Sequence, residues 1–343
     1  MMQRALGEKW QVPIAMFEQL GLIGNAIVLV VALAVLGKAS NSTITNSVKI
    51  ADITGLGKTT VGFIIVAFST SLPELFVAIF AIFQPENIGV SVGNVLGSNI
   101  VNICLILGIC FLLVAIRSPK RMVFLPLITK EETGSLYFGL FIASIIPLSL
   151  VYIGYVSQFV GVVLIVIFIF NLFQLSKVRN VQGNGSAGKE KANLKRYALL
   201  ALLGAVGVVT TAYFIVESAS LIALSVGIPK VVIGATVVAF GTSIPELATS
   251  IDAVRKGHSE LALGNVVGSG FINITLILGI TLLASPLRVN IAAFSDLVVF
   301  SLIANLILWY FLSSEKIGWR ESAVLLFTYA LFLIVSFSGY RSS

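Results

Sequence analysis

A chain of 343 residues of which 57% are hydrophobic and 11% charged, with a mean hydropathy of +1.04, has too little polar surface to cover a water-soluble globule and belongs in a bilayer. The net charge of +7 suggests nucleic acid only until the charges are placed on a topology, where they gather in loops on one side. The lone His258 excludes a histidine-based metal centre, and Cys104 and Cys110, six apart on one apolar helix, read as two packed thiols that bridge poorly.

Ten apolar segments of roughly 17 to 25 residues, the length that crosses about 30 Å of hydrocarbon as helix, centre near residues 17–37, 57–83, 88–116, 134–151, 156–176, 197–217, 229–254, 260–284, 289–312 and 321–339. The first begins after MMQRALGEKWQVP and runs on as a full span without a small-residue cleavage site, so it is expected to be retained. With the connections numbered alternately, 17 of the 22 Lys and Arg residues fall on one side and 5 on the other. The positive-inside rule makes the first side cytoplasmic and turns both termini outward.

The segment SKVRNVQGNGSAGKEKANLKR, ending at Arg196, is the one linker-like stretch. It divides the chain into a first repeat over 1–176, a cytoplasmic linker over 177–196 and a second repeat over 197–343. Five spans per half send the second half into the membrane from the opposite face. The expected fold is therefore an all-α membrane protein of ten transmembrane helices arranged as two inverted five-helix repeats. Lys58 and Lys230, matched in the two halves, should lie on opposite faces. GNGSAG at 183–188 follows no strand, and GLGKTT at 55–60 has Asp52 where a phosphate-binding loop needs its first glycine, so neither reads as a nucleotide site.

The halves share two blocks. AFSTSLPE at 67–74 returns as AFGTSIPE at 239–246, and GNVLGSNIVNICLILG at 93–108 returns as GNVVGSGFINITLILG at 264–279. Over 55–74 and 227–246, 10 of 20 positions are identical, and over the second block 11 of 16 are. Each copy sets one carboxylate, Glu74 or Glu246, within an apolar span, where an ionisable group is by default functional. Pro73 and Pro245 remove an amide donor and clash with the carbonyls of Ser69 and Gly241, four residues back. Carbonyls freed there cannot face lipid and must line a cavity or meet a ligand. Beside them stand the hydroxyls of Thr70, Ser71, Thr242 and Ser243. All are hard oxygen donors, suited to Ca²⁺ or Na⁺ and lacking the thiolate and imidazole that zinc or copper favour.

The second block adds Ser98 with Asn102 and Ser269 with Asn273, each pair at i and i+4 on one helix face. Gly93 with Gly97 and Gly264 with Gly268 form small faces that allow close helix approach. Asp252 reads as a helix-end ion pair with Arg255 or Lys256, and Asp296 as a residue near a span's start.

Two copies of an (S/T)-x-PE motif, each followed by GNxxGS and an Asn four after the Ser, resemble the alpha repeats of the cation/calcium exchanger superfamily, particularly the sodium/calcium exchangers. The resemblance implies a Ca²⁺ site at the bilayer centre formed by Glu74, Glu246 and the carbonyls of Thr70 and Thr242. It also implies flanking Na⁺ sites that use Ser71, Ser98, Ser243, Ser269 and the carbonyls of Ala67 and Ala239, with Asn102 and Asn273 nearby. Members of the sodium/calcium branch often carry Asp at the position of Asn273, and Ser69 stands where Gly241 keeps a glycine. The proton-coupled branch usually has GNxxE, whereas GNxxGS here favours sodium.

The expected function is secondary active exchange of Na⁺ for Ca²⁺ across the cell membrane, with these ions and the lipid bilayer as partners, no cofactor and no nucleic acid, in a chain able to act as a monomer. Proton/Ca²⁺ antiport is the alternative. A cation channel fits less well, because a filter usually needs copies around an axis along the membrane normal. An enzyme is disfavoured by the lack of a nucleophile and base pair.

Overall fold

The computed structural model describes residues 2–54, 67–83, 87–117, 141–142, 145–146, 155–156, 158–177, 193–257, 259–284, 287–288, 291–314 and 318–338. These residues are helical apart from short turns and one two-residue antiparallel pairing. The fourth expected span (134–151), Lys58, His258 and residues 178–192 of the linker fall wholly or almost wholly outside them.

In chain order the elements are α1 (Met2–Thr54), α2 (Ala67–Thr70), α3 (Leu72–Phe83), α4 (Ile88–Ile100), a π-helical turn (Val101–Leu107), α5 (Gly108–Arg117), β1 (Tyr155–Val156), α6 (Gln158–Lys177) and α7 (Leu194–Val226). The second half continues with α8 (Lys230–Ile233), a π turn (Gly234–Val238), α9 (Ala239–Thr242), α10 (Ile244–Arg255), α11 (Ser259–Ile272), a π turn (Asn273–Ile277), α12 (Leu278–Ala284), β2 (Leu287–Arg288), α13 (Ile291–Ser314) and α14 (Trp319–Ser338). β1 pairs with β2 through Tyr155–Arg288 and Val156–Leu287, joining the end of the first half to the second.

Six of the described helices are long and apolar enough to cross a membrane, and a seventh span results when α8–α9 and α10, bent by 43° at Ser243, are taken as one. The first span runs over Phe17–Thr43, longer than the expected 17–37. It contains a break at Gly21, whose φ of 62° a side chain with a Cβ tolerates poorly. Asn25 closes that break by donating Nδ2 to the carbonyls of Phe17 (2.7 Å) and Gly21 (2.8 Å), so the freed backbone acceptors do not face lipid bare.

The helices that carry the duplicated blocks sit in the middle. The Ala262–Ala284 span is 83% buried over its most apolar stretch, against 22% for Phe17–Thr43 and 38% for Leu194–Val226. α1 and α7 lie along one another at the periphery and turn Ile23, Val30, Leu202 and Val206 outward. Those large exposed apolar side chains suit lipid.

Close approach at the centre depends on glycine. A Cβ on Gly93 would run into the Val231 carbonyl oxygen, and one on Gly97 into that of Ala235. On the facing strand of backbone, a Cβ on Gly234 would meet the Val90 carbonyl. The first-half small face therefore lets α4 lie against 230–238, the stretch that leads into the second Pro-Glu motif.

Candidate functional site

In both copies the helix is interrupted two residues before the proline and restarts with proline inside its first turn. Ser71 and Ser243 are the interrupting residues, and Pro73 and Pro245 follow as the second residues of α3 and α10. A missing amide is harmless in a first turn, since that donor has no intrahelical partner there. The restart is held by Leu75 N to Ser71 O (3.1 Å) and Leu247 N to Ser243 O (3.0 Å). Glu74 and Glu246 thus occupy the third positions of new helices, near N-terminal amides that favour negative charge.

Both carboxylates are fully buried. Glu74 Oε1 faces the hydroxyls of Ser98 (3.5 Å) and Ser243 (3.4 Å), and Glu246 Oε1 accepts from Ser269 (3.1 Å). Thr242 also approaches Glu74, and Thr70 approaches Glu246. The two acids are near enough for their charges to interact. Ser71 and Ser269 hydroxyls meet at 2.8 Å, and Asn102 Nδ2 reaches Ser269 Oγ at 3.4 Å. Contacts of 3.4 to 3.5 Å lie well beyond the 2.7–2.8 Å mode for hydroxyl donors, so these groups surround the acids without closing on them.

Three further oxygens of this cluster, Glu74 Oε2, Glu246 Oε2 and Asn102 Oδ1, are buried and have no hydrogen-bond partner. A set of buried acceptors carrying formal charge and lacking donors is complementary to a cation. No group of three His, Cys, Asp or Glu side chains able to hold a metal occurs among the described residues. A cation here would therefore share two carboxylates with neutral hydroxyl, amide and carbonyl oxygens, the ligand type that Ca²⁺ and Na⁺ accept.

The structure brings Thr70, Ser71, Glu74, Ser98, Asn102, Thr242, Ser243, Glu246 and Ser269 into one connected cluster. Asn273 is buried at the start of its π turn and makes no hydrogen bond. Ala239 opens α9, and its carbonyl accepts from Ser243 N (3.1 Å) and Thr242 Oγ1 (3.3 Å); serving a cation would require it to release the threonine. Ala67 opens α2. Outside the cluster, Asp252 pairs with Lys256 at 2.6 Å in exposed surroundings, and Asp296 is exposed.

Sequence reasoning passed over three features. Asn94 and Asn265 accept from Thr242 (2.9 Å) and Thr70 (3.2 Å) across the halves. The available signal was a polar stripe one turn longer than the Ser/Asn pair: Asn94, Ser98 and Asn102, matched by Asn265, Ser269 and Asn273, recur every four residues. The π turns over 101–107, 234–238 and 273–277 were also unforeseen; such turns are frequent at functional sites, and two of them carry Asn102 and Asn273. Finally, Glu217 is a third buried acid, inside α7 one turn from Tyr213, where a single acid leaves the surrounding hydropathy high.

The fold and this cluster define an integral, multi-pass membrane protein of the transporter class. The chain belongs to the family described as sodium/calcium exchanger protein, whose model matches residues 24–176 and 196–338. The Sodium/calcium exchanger MaX1 of Methanosarcina acetivorans is 32% identical over 357 residues, spanning 91% of this chain and 98% of its own. The Inner membrane protein YrbG of Escherichia coli is 31% identical over 74% of this chain and 79% of its own. Among solved structures, the sodium-calcium exchanger NCX_Mj soaked with 100 mM Na⁺ and 10 mM Sr²⁺ aligns with a TM-score of 0.63 at 27% identity, over 92% of this chain and 99% of that one. The H⁺/Ca²⁺ exchanger CAX aligns with a TM-score of 0.73 over 96% and 93%, at 17% identity, a likeness of fold alone.

Proposed function

We propose that the protein is a secondary active antiporter that exchanges Na⁺ for Ca²⁺ across the cell membrane by alternating access, through a midplane site built on the two Pro-Glu motifs. The observation that carries this is the fully buried pair Glu74 and Glu246, each leaving one oxygen without a partner and each approached by hydroxyls from both halves. Cation/Ca²⁺ antiport is what membership of the family and the names of the relatives support; the choice of Na⁺ rests on GNxxGS in both halves and on the sodium/calcium exchangers among the relatives.

In this reading Ca²⁺ is bound by Glu74, Glu246 and the Thr70 and Thr242 carbonyls, and Na⁺ by Ser71, Ser98, Ser243, Ser269 and the carbonyls of Ala67 and Ala239, with Asn102 and Asn273 beside them. Two carboxylates carry a formal charge of −2, neutralised by one Ca²⁺ or by two Na⁺, so the ions compete for one cage. Repeats over 1–176 and 197–343, inverted with respect to each other, supply the inward-open and outward-open states. The matched cross-half bonds Thr70–Asn265 and Thr242–Asn94 support that pseudo-symmetry. The linker 177–196 is cytoplasmic, both termini are extracellular, and a monomer suffices to enclose the site.

Sodium-gradient-driven uptake of radiolabelled Ca²⁺ into proteoliposomes tests the reading. Uptake that follows the Na⁺ gradient is expected. Uptake indifferent to Na⁺ and driven by a pH gradient would replace Na⁺ with H⁺ as the coupling ion, and currents far above transporter turnover would indicate a channel.

A further inference from the structure

Each Pro-Glu break is tied to the opposite half through an asparagine outside the proposed oxygen set. Thr242 Oγ1 donates to Asn94 Oδ1 (2.9 Å) and Thr70 Oγ1 donates to Asn265 Oδ1 (3.2 Å). All four residues are at most 2% exposed, so no water competes for these bonds. Thr70 and Thr242 are the last residues before the interruptions, and fixing their side chains fixes the backbone that turns from α2 into α3 and from α9 into α10.

The two ties differ in how the asparagine itself is held. Asn265 is gripped at both ends, because its Nδ2 donates to Ser250 Oγ (3.1 Å). Asn94 is gripped at one end, since its Nδ2 is buried with no partner. The duplication explains the difference: the residue that corresponds to Ser250 in the first half, 172 positions earlier, is Ala78, whose methyl group offers no acceptor. Asn94 is therefore held only through its tie to Thr242, while Asn265 is braced.

We infer that Asn94 and Asn265 are positioning residues of the ion site, each setting the threonine at the opposite half's break, with the Asn265 tie braced by Ser250 and the Asn94 tie left compliant. The inference rests on the reading of that site as one that binds Ca²⁺. Thr70 and Thr242 would contribute backbone oxygens to the ion, and Ca²⁺, which gathers 6 to 8 oxygens, loses affinity when two of them drift. Crossing between halves, the ties also make the geometry of one break depend on the other.

The test is a pair of double-mutant cycles, Asn94→Ala with Thr242→Val and Asn265→Ala with Thr70→Val, read as half-saturating Ca²⁺ in Ca²⁺ self-exchange across proteoliposomes and as Ca²⁺-dependent thermal stabilisation in detergent. Each single variant should raise the half-saturating concentration about fivefold, as expected for one buried hydrogen bond, with each double no worse than its weaker single. Thr242→Ser and Thr70→Ser, which keep the hydroxyl, should regain most of the affinity that the valine variants lose. Ser250→Ala should weaken Ca²⁺ binding in the wild-type background and add nothing in Asn265→Ala. Multiplied losses in the doubles, or unchanged half-saturation with only less folded protein, would overturn the inference while leaving the calcium reading intact. A wild-type protein that neither exchanges Ca²⁺ nor is stabilised by it would overturn both.

Discussion

Replacing Gly97 by alanine probes the contact that holds the two halves together at the site. A Cβ there would overlap the carbonyl oxygen of Ala235 and stand 2.6 Å from its carbonyl carbon. Carbon–oxygen contacts normally begin near 3.3 Å, and the obstacle is backbone rather than a side chain that can swing away. α4 and 230–238 must then separate by roughly 1 Å, and overpacking of this kind costs about 1–3 kcal/mol. Alanine also gains about 1 kcal/mol of helix propensity over glycine, a gain that Gly37→Ala shares while its Cβ meets only an Ile244 methyl at 3.3 Å. The comparison of the two variants therefore isolates the clash. Cys104 and Cys110 are free and buried, so a dye that fluoresces on reacting with thiols reports unfolding without added labels. Gly97→Ala should unfold several degrees below Gly37→Ala, and its exchange activity should fall. Equal unfolding temperatures with full activity would refute the claim that backbone-to-backbone contact at Gly97 sets the helix spacing.

Asn102→Ala and Asn273→Ala should each lower Ca²⁺ uptake without abolishing it, because an amide contributes a dipole and not a charge; complete loss in either would give the amide a larger role than proposed. Asp252→Asn and Lys256→Met break an ion pair whose side chains are 61% and 65% exposed, so both should leave transport and unfolding temperature unchanged, and a clear loss of either would contradict the solvated-pair reading. Ser322→Ala removes a buried bond of 2.7 Å from Ser322 Oγ to the Gly108 carbonyl, which fastens α14 to α5. It should cost about 0.5–1.5 kcal/mol of stability, seen as a lower unfolding temperature with Ca²⁺ half-saturation unaltered.

What could be read in advance was local chemistry repeated twice. Proline followed by glutamate in an apolar span dictates a break beside a charge, and the structure interrupts both helices there, at Ser71 and Ser243. Ser98 and Ser269 reach the acids and Asn102 reaches Ser269, because a four-residue spacing keeps Ser98 and Asn102 on one helix face. The close approach at Gly93 and Gly97 was legible as a small-residue face, although the partner it meets, 230–238, lies 130 or more residues away and no local pattern names it. The same limit hid Asn94 and Asn265, whose partners are threonines of the other half. It also hid the π turns, where an extra residue is absorbed without a marker in composition. Gly21 shows a further limit, since a glycine in an apolar run gives no warning that φ turns positive and that Asn25, four residues on, must satisfy the freed carbonyls.

The central claim is that two buried carboxylates, one from each half, hold the transported Ca²⁺. Ca²⁺ exchange by reconstituted Glu74→Gln and Glu246→Gln proteins, with Na⁺ binding measured alongside, tests it most directly. A divalent ion loses twice the Coulomb attraction that a monovalent ion loses at equal distance, so each substitution should abolish Ca²⁺ exchange while Na⁺ binding is reduced but retained. Near-normal Ca²⁺ exchange by either variant would contradict the account.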